Sequence, residues 1–225
     1  MRIALGIPIL GMLHGVPAYS HMGLAAEIAH EADLYIPEVL NYTPYDRGRN
    51  VACDKAIRHD CDFMFFADSD NVIPAGAFGS MMRMLQAEDA VMVSGYYCRR
   101  KAPWGTVWVT AGADDAGMPA DGSPVDLVGS GLGCALIDLR WVQDHLTEPY
   151  FFMPDNGGTE DYPFCQRVLA EGGRIVGHSG VIAGHMPELV PVTPANTKQY
   201  TDLVVRHAEH PCMEIRELEM SHGTA

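Results

Sequence analysis

The chain has 225 residues, 48% hydrophobic and 20% charged, which are the proportions of an ordinary globular protein with ample core. They exclude a disordered, collagen-like or coiled-coil chain, and neither an internal repeat nor a low-complexity tract is visible. The net charge of −14 argues against a general polyanion-binding surface and leaves Arg99-Arg100-Lys101 as the one tight basic cluster.

Ile3 to Ile9 is a short apolar run ended by Pro and Gly, the pattern of a buried strand. The apolar stretch from Ile3 to Leu13, with Ala18-Tyr19-Ser20 behind it, loosely mimics a signal peptide. Gly6, Pro8 and Gly11 interrupt it, so it is read as part of the fold. Tyr19 to Ala32 has a helical period, Leu34 to Leu40 a strand pattern, and Arg49 to His59 is helical. Phe63 to Ala67 is a wholly apolar strand that runs straight into Asp68-Ser69-Asp70. A helix from about Ala75 to Ala87 and a strand from Ala90 to Tyr97 complete three strand–helix alternations. That alternation predicts an α/β fold: a mostly parallel central sheet flanked by helices, with ligands beyond the carboxyl ends of its strands.

The second half reads differently. Ala111 to Ser123 is an exposed loop by composition, and Val125 to Val128 and Cys134 to Ile137 are short strands around a Gly-rich turn. Leu139 to Leu146 is a helix. Asp155-Asn156-Gly157-Gly158 is a turn, and Asp161 to Glu171 is a helix closed by Gly172-Gly173. Arg174 to Val176 and Val181 to Ala183 read as two more short strands, giving a small mixed sheet in this half. One domain is expected over 1–190, in two halves (1–100 and 101–190) that share a cleft. A C-terminal helix, near Thr197 to His207, and a tail are expected over 191–225. No stretch approaches the roughly 20 apolar residues of a membrane helix. The six cysteines form no C-x-x-C pair, which argues against a zinc ribbon, and at this length and spacing they read as buried free thiols of a reducing, cytoplasmic compartment.

Three signals carry chemistry. Asp68 and Asp70 are two apart on an extended segment, so both carboxylates can turn toward one hard cation such as Mn²⁺ or Mg²⁺. Clustering two acids at the mouth of a buried strand demands a counter-charge. The structural alternative is that Asp68 and Asn71 cap a turn or the next helix. Glu160-Asp161 opens a helix: Asp161 is either its N-cap or a general base. His185 ends a short strand after Gly184 and is either a loop histidine or a third ligand to the same cation.

In this order, with Gly131-x-Gly133-Cys134-Ala135-Leu136-Ile137 between them, these segments resemble the GT-A (Rossmann-like) glycosyltransferases. The likeness is to compact family-2-like enzymes of bacteriophages and bacteria. It covers residues 2 to 187 and includes the Ile7-Pro8 strand end, Arg49-Asn50-x-Ala52 and Gly95-Tyr96-Tyr97-Cys98-Arg99-Arg100. It implies a nucleotide-diphosphate sugar as donor, with Mn²⁺ or Mg²⁺ on Asp68, Asp70 and His185. Asp161, with Glu160 beside it, becomes the base of an inverting transfer. Pro8, Arg49, Asn50, Asp68 and Arg99 become donor contacts, with Arg100 and Lys101 helping as a phosphate clamp. Trp104 and Trp108 are read as packing residues, with stacking on sugar or base as the alternative. The acceptor stays open between a glycan, a small molecule and a hydroxylated DNA base, and so does the oligomeric state. The rival readings are a nucleotidyltransferase and a non-catalytic nucleotide-sugar-binding module. Leu10 to Gly15 has no Lys or Arg for a phosphate loop, and the intact acids argue against a dead site.

Overall fold

The structure is a computed structural model. It describes residues 1–9, 13, 15–37, 44–99, 105–112, 121–155 and 157–186. Arg100, Lys101, Trp104 and the tail helix expected near 197–207 lie outside these residues.

The first half keeps the expected strand–helix alternation, but the helix expected from Arg49 begins four residues early, the strand expected from Leu34 ends at Tyr35, and a short strand at 71–72 is added. Strand β1 (Arg2–Gly6), helix α1 (Gly15–Glu31), strand β2 (Asp33–Tyr35), helix α2 (Tyr45–Arg58) and strand β3 (Phe63–Ala67) come first. Strand β4 (Asn71–Val72), helix α3 (Ala77–Ala87) and strand β5 (Met92–Tyr96) follow. Helix α1 begins four residues before the expected start, because Pro17 sits in a first turn where its missing N–H leaves no bond unmade. In the second half come strand β6 (Pro124–Asp126), strand β7 (Cys134–Asp138) and helix α4 (Leu139–His145). The Asp138 carboxylate caps α4 by accepting from the N–H groups of Arg140 and Trp141. Helix α5 (Asp161–Ala170), strand β8 (Ile175–Ile182) and strand β9 (Gly184–His185) end the described chain.

Seven strands form one sheet in the order β2-β1-β3-β7-β5-β8-β6. β7 runs antiparallel to both β3 and β5, and β6 antiparallel to β8, so five strands share one direction. The expected α/β class, with a mostly parallel sheet flanked by helices, is the class observed. The smaller sheet has two antiparallel strands, β4 and β9, one from each half of the chain. The two strands expected at 174–176 and 181–183 are a single strand, β8. Its internal glycines are there for close approach: a Cβ on Gly177 would come 2.7 Å from the Trp108 ring, and one on Gly180 2.9 Å from the Gly122 Cα.

Alternate residues of each central strand feed opposite faces. Ile3, Leu5, Phe63, Phe65, Cys134 and Leu136 pack with α1 and α3, while Ala4, Met64, Phe66, Ala135 and Ile137 pack with α2, α4 and α5. Cys53, Cys61, Cys134 and Cys165 are free and buried, as expected. Cys98 departs from that reading, being disulfide-bonded. Among the described residues no helix is long and apolar enough to cross a membrane.

Candidate active site

β3 delivers Asp68 to the carboxyl edge of the sheet. The Asp68 N–H donates to the Gly133 carbonyl (3.0 Å), which extends the β3–β7 ladder by one step. Its own carbonyl then accepts from the Asn71 N–H (2.9 Å), and this turn throws the chain into β4. β4 pairs with β9 in the register Asn71↔His185, and the Met186 N–H donates to the Asp70 carbonyl (2.7 Å). A two-stranded ladder thus brings together residues more than a hundred positions apart.

The result is a carboxylate–imidazole pair. His185 Nε2 lies 3.4 Å from Asp70 Oδ2, with the side chains 15% and 21% exposed. His185 Nδ1 lies 2.7 Å from the Cys98 carbonyl oxygen. A carbonyl only accepts, so Nδ1 carries the proton there, and a neutral ring turns its Nε2 lone pair toward Asp70. Two lone pairs at that distance repel unless a proton or a cation lies between them. One carboxylate and one imidazole are a suitable donor set for Mn²⁺ whose remaining positions are filled by water or phosphate. Among the described residues no three His, Cys, Asp or Glu side chains are arranged to enclose an ion by themselves.

Beside this pair lies a buried charge cluster. Arg49 on α2 is 2% exposed. Its Nε donates to Glu160 Oε1 (2.8 Å) and its Nη2 to Asp68 Oδ1 and Oδ2 (3.0 and 3.2 Å). Nη2 also lies 3.6 Å from Asp161 Oδ1, and the guanidinium stacks over the Phe66 ring at 4.9 Å. One guanidinium therefore faces three carboxylates. The counter-charge that the clustered acids demanded is, for Asp68, this arginine. Burial pushes the Asp68 carboxyl up and Arg49 pulls it down, with Asp70 and Glu160 leaving it raised. Asp161 moves the same way and further: burial raises it, Arg49 opposes, and Glu160 and Asp68 add to the rise. A carboxyl held well above its ordinary range is suited to take up a proton.

The capping alternatives are not what these side chains do. Glu160 occupies the N-cap position of α5 without a side-chain cap bond, since its carboxylate is turned to Arg49. The cap position of α3 belongs to Gly76. Pro8 is buried just beyond the end of β1, beside the end of β3. Asn50, expected among the donor contacts, points elsewhere. Its amide donates to the Phe151 carbonyl (2.7 Å) and accepts from the Phe151 N–H (3.1 Å), tying α2 to the segment that leads into Glu160. Arg99 is exposed, one residue from the carbonyl that orients His185. Trp108 is buried and donates to Ser94 Oγ and the Gly95 carbonyl, a packing residue as expected.

Sequence reasoning gave no role to Tyr97 or His21. The Tyr97 hydroxyl accepts from the Gly133 N–H (2.8 Å), and its ring meets His185 edge-on at 5.5 Å. Burial, with Asp68 and Asp161 adding, keeps this phenol protonated well above the usual range. His21 is buried on α1 with Nε2 3.0 Å from the Asn71 carbonyl, which anchors α1 to the turn after Asp70. The glycine spacing at 131 and 133 was the one available signal: a Cβ at either position would run into the Tyr97 hydroxyl.

Solved structures with the same architecture bear on this geometry. A197 from STIV aligns with a TM-score of 0.62 at 22% identity, over 84% of this chain and 87% of that one. The structure of GalNAc-T7 with UDP, GalNAc and Mn²⁺ aligns at 0.55 and 10% identity, over 91% of this chain and 47% of that one. The structure of S. aureus TarS 1-349 with UDP-GlcNAc aligns at 0.54 and 12%, over 92% of this chain and 66% of that one. The fold is GT-A. The chain spans about half the length of the GalNAc-T7 structure. No protein-family model matches the sequence, and no curated protein matches it significantly.

Proposed function

We propose that this GT-A chain is a metal-dependent glycosyltransferase that moves a sugar from a nucleotide-diphosphate donor to an acceptor hydroxyl, with inversion. The observation that carries the reading is the Asp70–His185 pair, its imidazole oriented by the Cys98 carbonyl, set beside a carboxyl with raised proton affinity. The GT-A architecture, and the UDP, sugar and Mn²⁺ in the GalNAc-T7 structure, support it.

Asp70 and His185 would hold Mn²⁺ or Mg²⁺, with Asp68 beside them. When bound, the cation supplies Lewis acidity that stabilises the charge developing on the diphosphate leaving group. Asp161 takes the acceptor proton as the hydroxyl attacks the anomeric carbon. Arg49 and Glu160 hold that carboxylate in place, and Arg49 offsets part of the charge that the base retains. Pro8 and Arg99 flank the donor, Arg99 as an exposed phosphate contact. Residues 1–100 form the nucleotide half and 101–190 the acceptor half. A bridging cation also reconciles a net charge of −14 with a dianionic ligand.

Calorimetric titration with UDP, GDP, CDP and TDP, with and without Mn²⁺, tests this on the wild type and on Asp70→Ala. One nucleotide diphosphate is expected to bind only with Mn²⁺, and the variant is expected to lose that binding. Metal-independent binding, or none, would sink the mechanism and favour a non-catalytic module.

A further inference from the structure

Asn71 lies directly behind the two acids and is 0% exposed. Its backbone is fully engaged. The N–H donates to the Asp68 carbonyl, the carbonyl accepts from His21 Nε2, and the residue is in register with His185 across β4 and β9. Its side chain is not engaged: neither Nδ2 nor Oδ1 has a hydrogen-bond partner. Burying an unpaired amide is unfavourable, and an apolar side chain of similar size would avoid the loss.

The amide's surroundings explain why the residue is tolerated. The space over the Gly133 Cα is bounded by three polar atoms. A Cβ there would run closest into Asn71 Nδ2, with the Tyr97 hydroxyl at 2.9 Å and Asp68 Oδ2 at 3.0 Å. The missing side chain of Gly133 thus lets the Asn71 amide and the Asp68 carboxylate share one small space. In the present arrangement Asp68 has both oxygens on Arg49 and is half-buried, while the amide donor beside it is idle.

We propose that Asn71 is a positioning residue for Asp68. When cation and diphosphate enter, Asp68 turns from Arg49 toward the ligand, and Asn71 Nδ2 donates to Asp68 Oδ2 and holds it there. The unpaired amide of the empty site becomes a hydrogen bond of the filled one. This rests on the glycosyltransferase reading, and it assigns the free-state penalty to a residue that touches neither donor nor acceptor.

The test pairs apo stability with ligand affinity for two variants of matching size, Asn71→Leu and Asn71→Asp. Asn71→Leu removes the unpaired amide without opening a cavity, so without ligand its Tm is expected to equal the wild type or exceed it by about 2–4 °C. In the same Mn²⁺ titration of UDP, run beside GDP, CDP and TDP, its affinity for the nucleotide that binds wild type should fall by about tenfold or more. Asn71→Asp sets a second carboxylate against Asp68 and should lose more affinity than Asn71→Leu. Wild-type affinity in both variants would overturn the inference while leaving the metal-dependent donor site intact. A Tm for Asn71→Leu several degrees below wild type would also overturn it, by making the amide a structural brace. Absence of Mn²⁺-dependent binding in the wild type itself would instead remove the reading on which the inference rests.

Discussion

The Arg49 cluster is built around a cation that the chain supplies, whereas Asp70 faces the Nε2 lone pair of His185, with no cation from the described residues between them. Arg49 and Glu160 are 2% and 3% exposed, joined by a 2.8 Å bond and sealed by the Phe66 ring. Asp70 and His185 are more open and are joined at 3.4 Å by a contact that a cation could enter. The first arrangement holds Glu160 and Asp161 in place whether or not a ligand is present. The second leaves room for an ion that arrives with the substrate. A net-negative site can therefore be both preorganised and receptive, because the two tasks fall to different carboxylates.

The largest expected effect breaks the first region alone. Arg49→Met strands Asp68, Glu160 and Asp161 in a buried setting and should destabilise the fold by about 3–5 kcal/mol, read from urea denaturation. Arg49→Lys keeps the charge but not the fork that reaches Glu160 and Asp68 together, so it should recover only part of that loss. Asp70→Ala, in the second region, should shift the same denaturation curve by less than about 1 kcal/mol while losing nucleotide binding. Equal destabilisation by both would show that the two regions are not separable.

Next in size is the glycine that lets the two regions approach. A Cβ at Gly133 would meet the Tyr97 hydroxyl at 2.9 Å and Asp68 Oδ2 at 3.0 Å, and would press hardest on Asn71. Gly133→Ala should therefore destabilise by about 1–3 kcal/mol, measured by thermal melting, and should also weaken Mn²⁺-dependent binding.

A smaller effect has the opposite sign. Burial, then Glu160 and Asp68, hold the Asp161 carboxyl well above its ordinary range despite Arg49. A carboxyl raised on folding binds its proton more tightly in the folded chain. Stability therefore falls as pH rises from the unfolded value, about 3.9, toward the raised folded one. Asp161→Asn removes this dependence. Without metal it should be more stable than wild type at neutral pH, with the gap closing as pH falls from the raised value to about 4, while transfer drops by about 10²–10⁴-fold. A variant less stable than wild type across that range would show that Arg49 over-compensates the base.

What the sequence made legible follows from locality. Phe63–Ala67 was predicted to the residue because five apolar positions in a row, ended by Asp, fit a buried strand and little else. β4 was missed because two residues carry no period, and its partner strand is over a hundred positions away. β8 was split because Gly177 and Gly180 look like breaks until Trp108 and Gly122 are seen against them. The acids and His185 were visible as motifs. Arg49 was expected as a donor contact and is instead a buried partner of acids, because Asp68 and Glu160 lie 19 and 111 positions on and only the fold brings them to it. Residue types announce chemistry, but which carboxylate faces which cation is a tertiary fact.

The smallest expected effect concerns the rim, where neither region's logic applies. Arg99 is exposed and follows Cys98, whose carbonyl orients His185, and its own N–H donates to the Gly105 carbonyl at 2.9 Å. The backbone bond survives any substitution except proline, so Arg99→Ala should leave stability within about 0.5 kcal/mol of wild type. If the guanidinium contacts the diphosphate, affinity in the Mn²⁺ titration should fall severalfold at low ionic strength, and the difference should shrink as salt screens the exposed charge. A salt-independent loss would mean that the substitution disturbed the Cys98 carbonyl and, through it, the imidazole. That outcome would move Arg99 from the donor's phosphates to the orientation of His185.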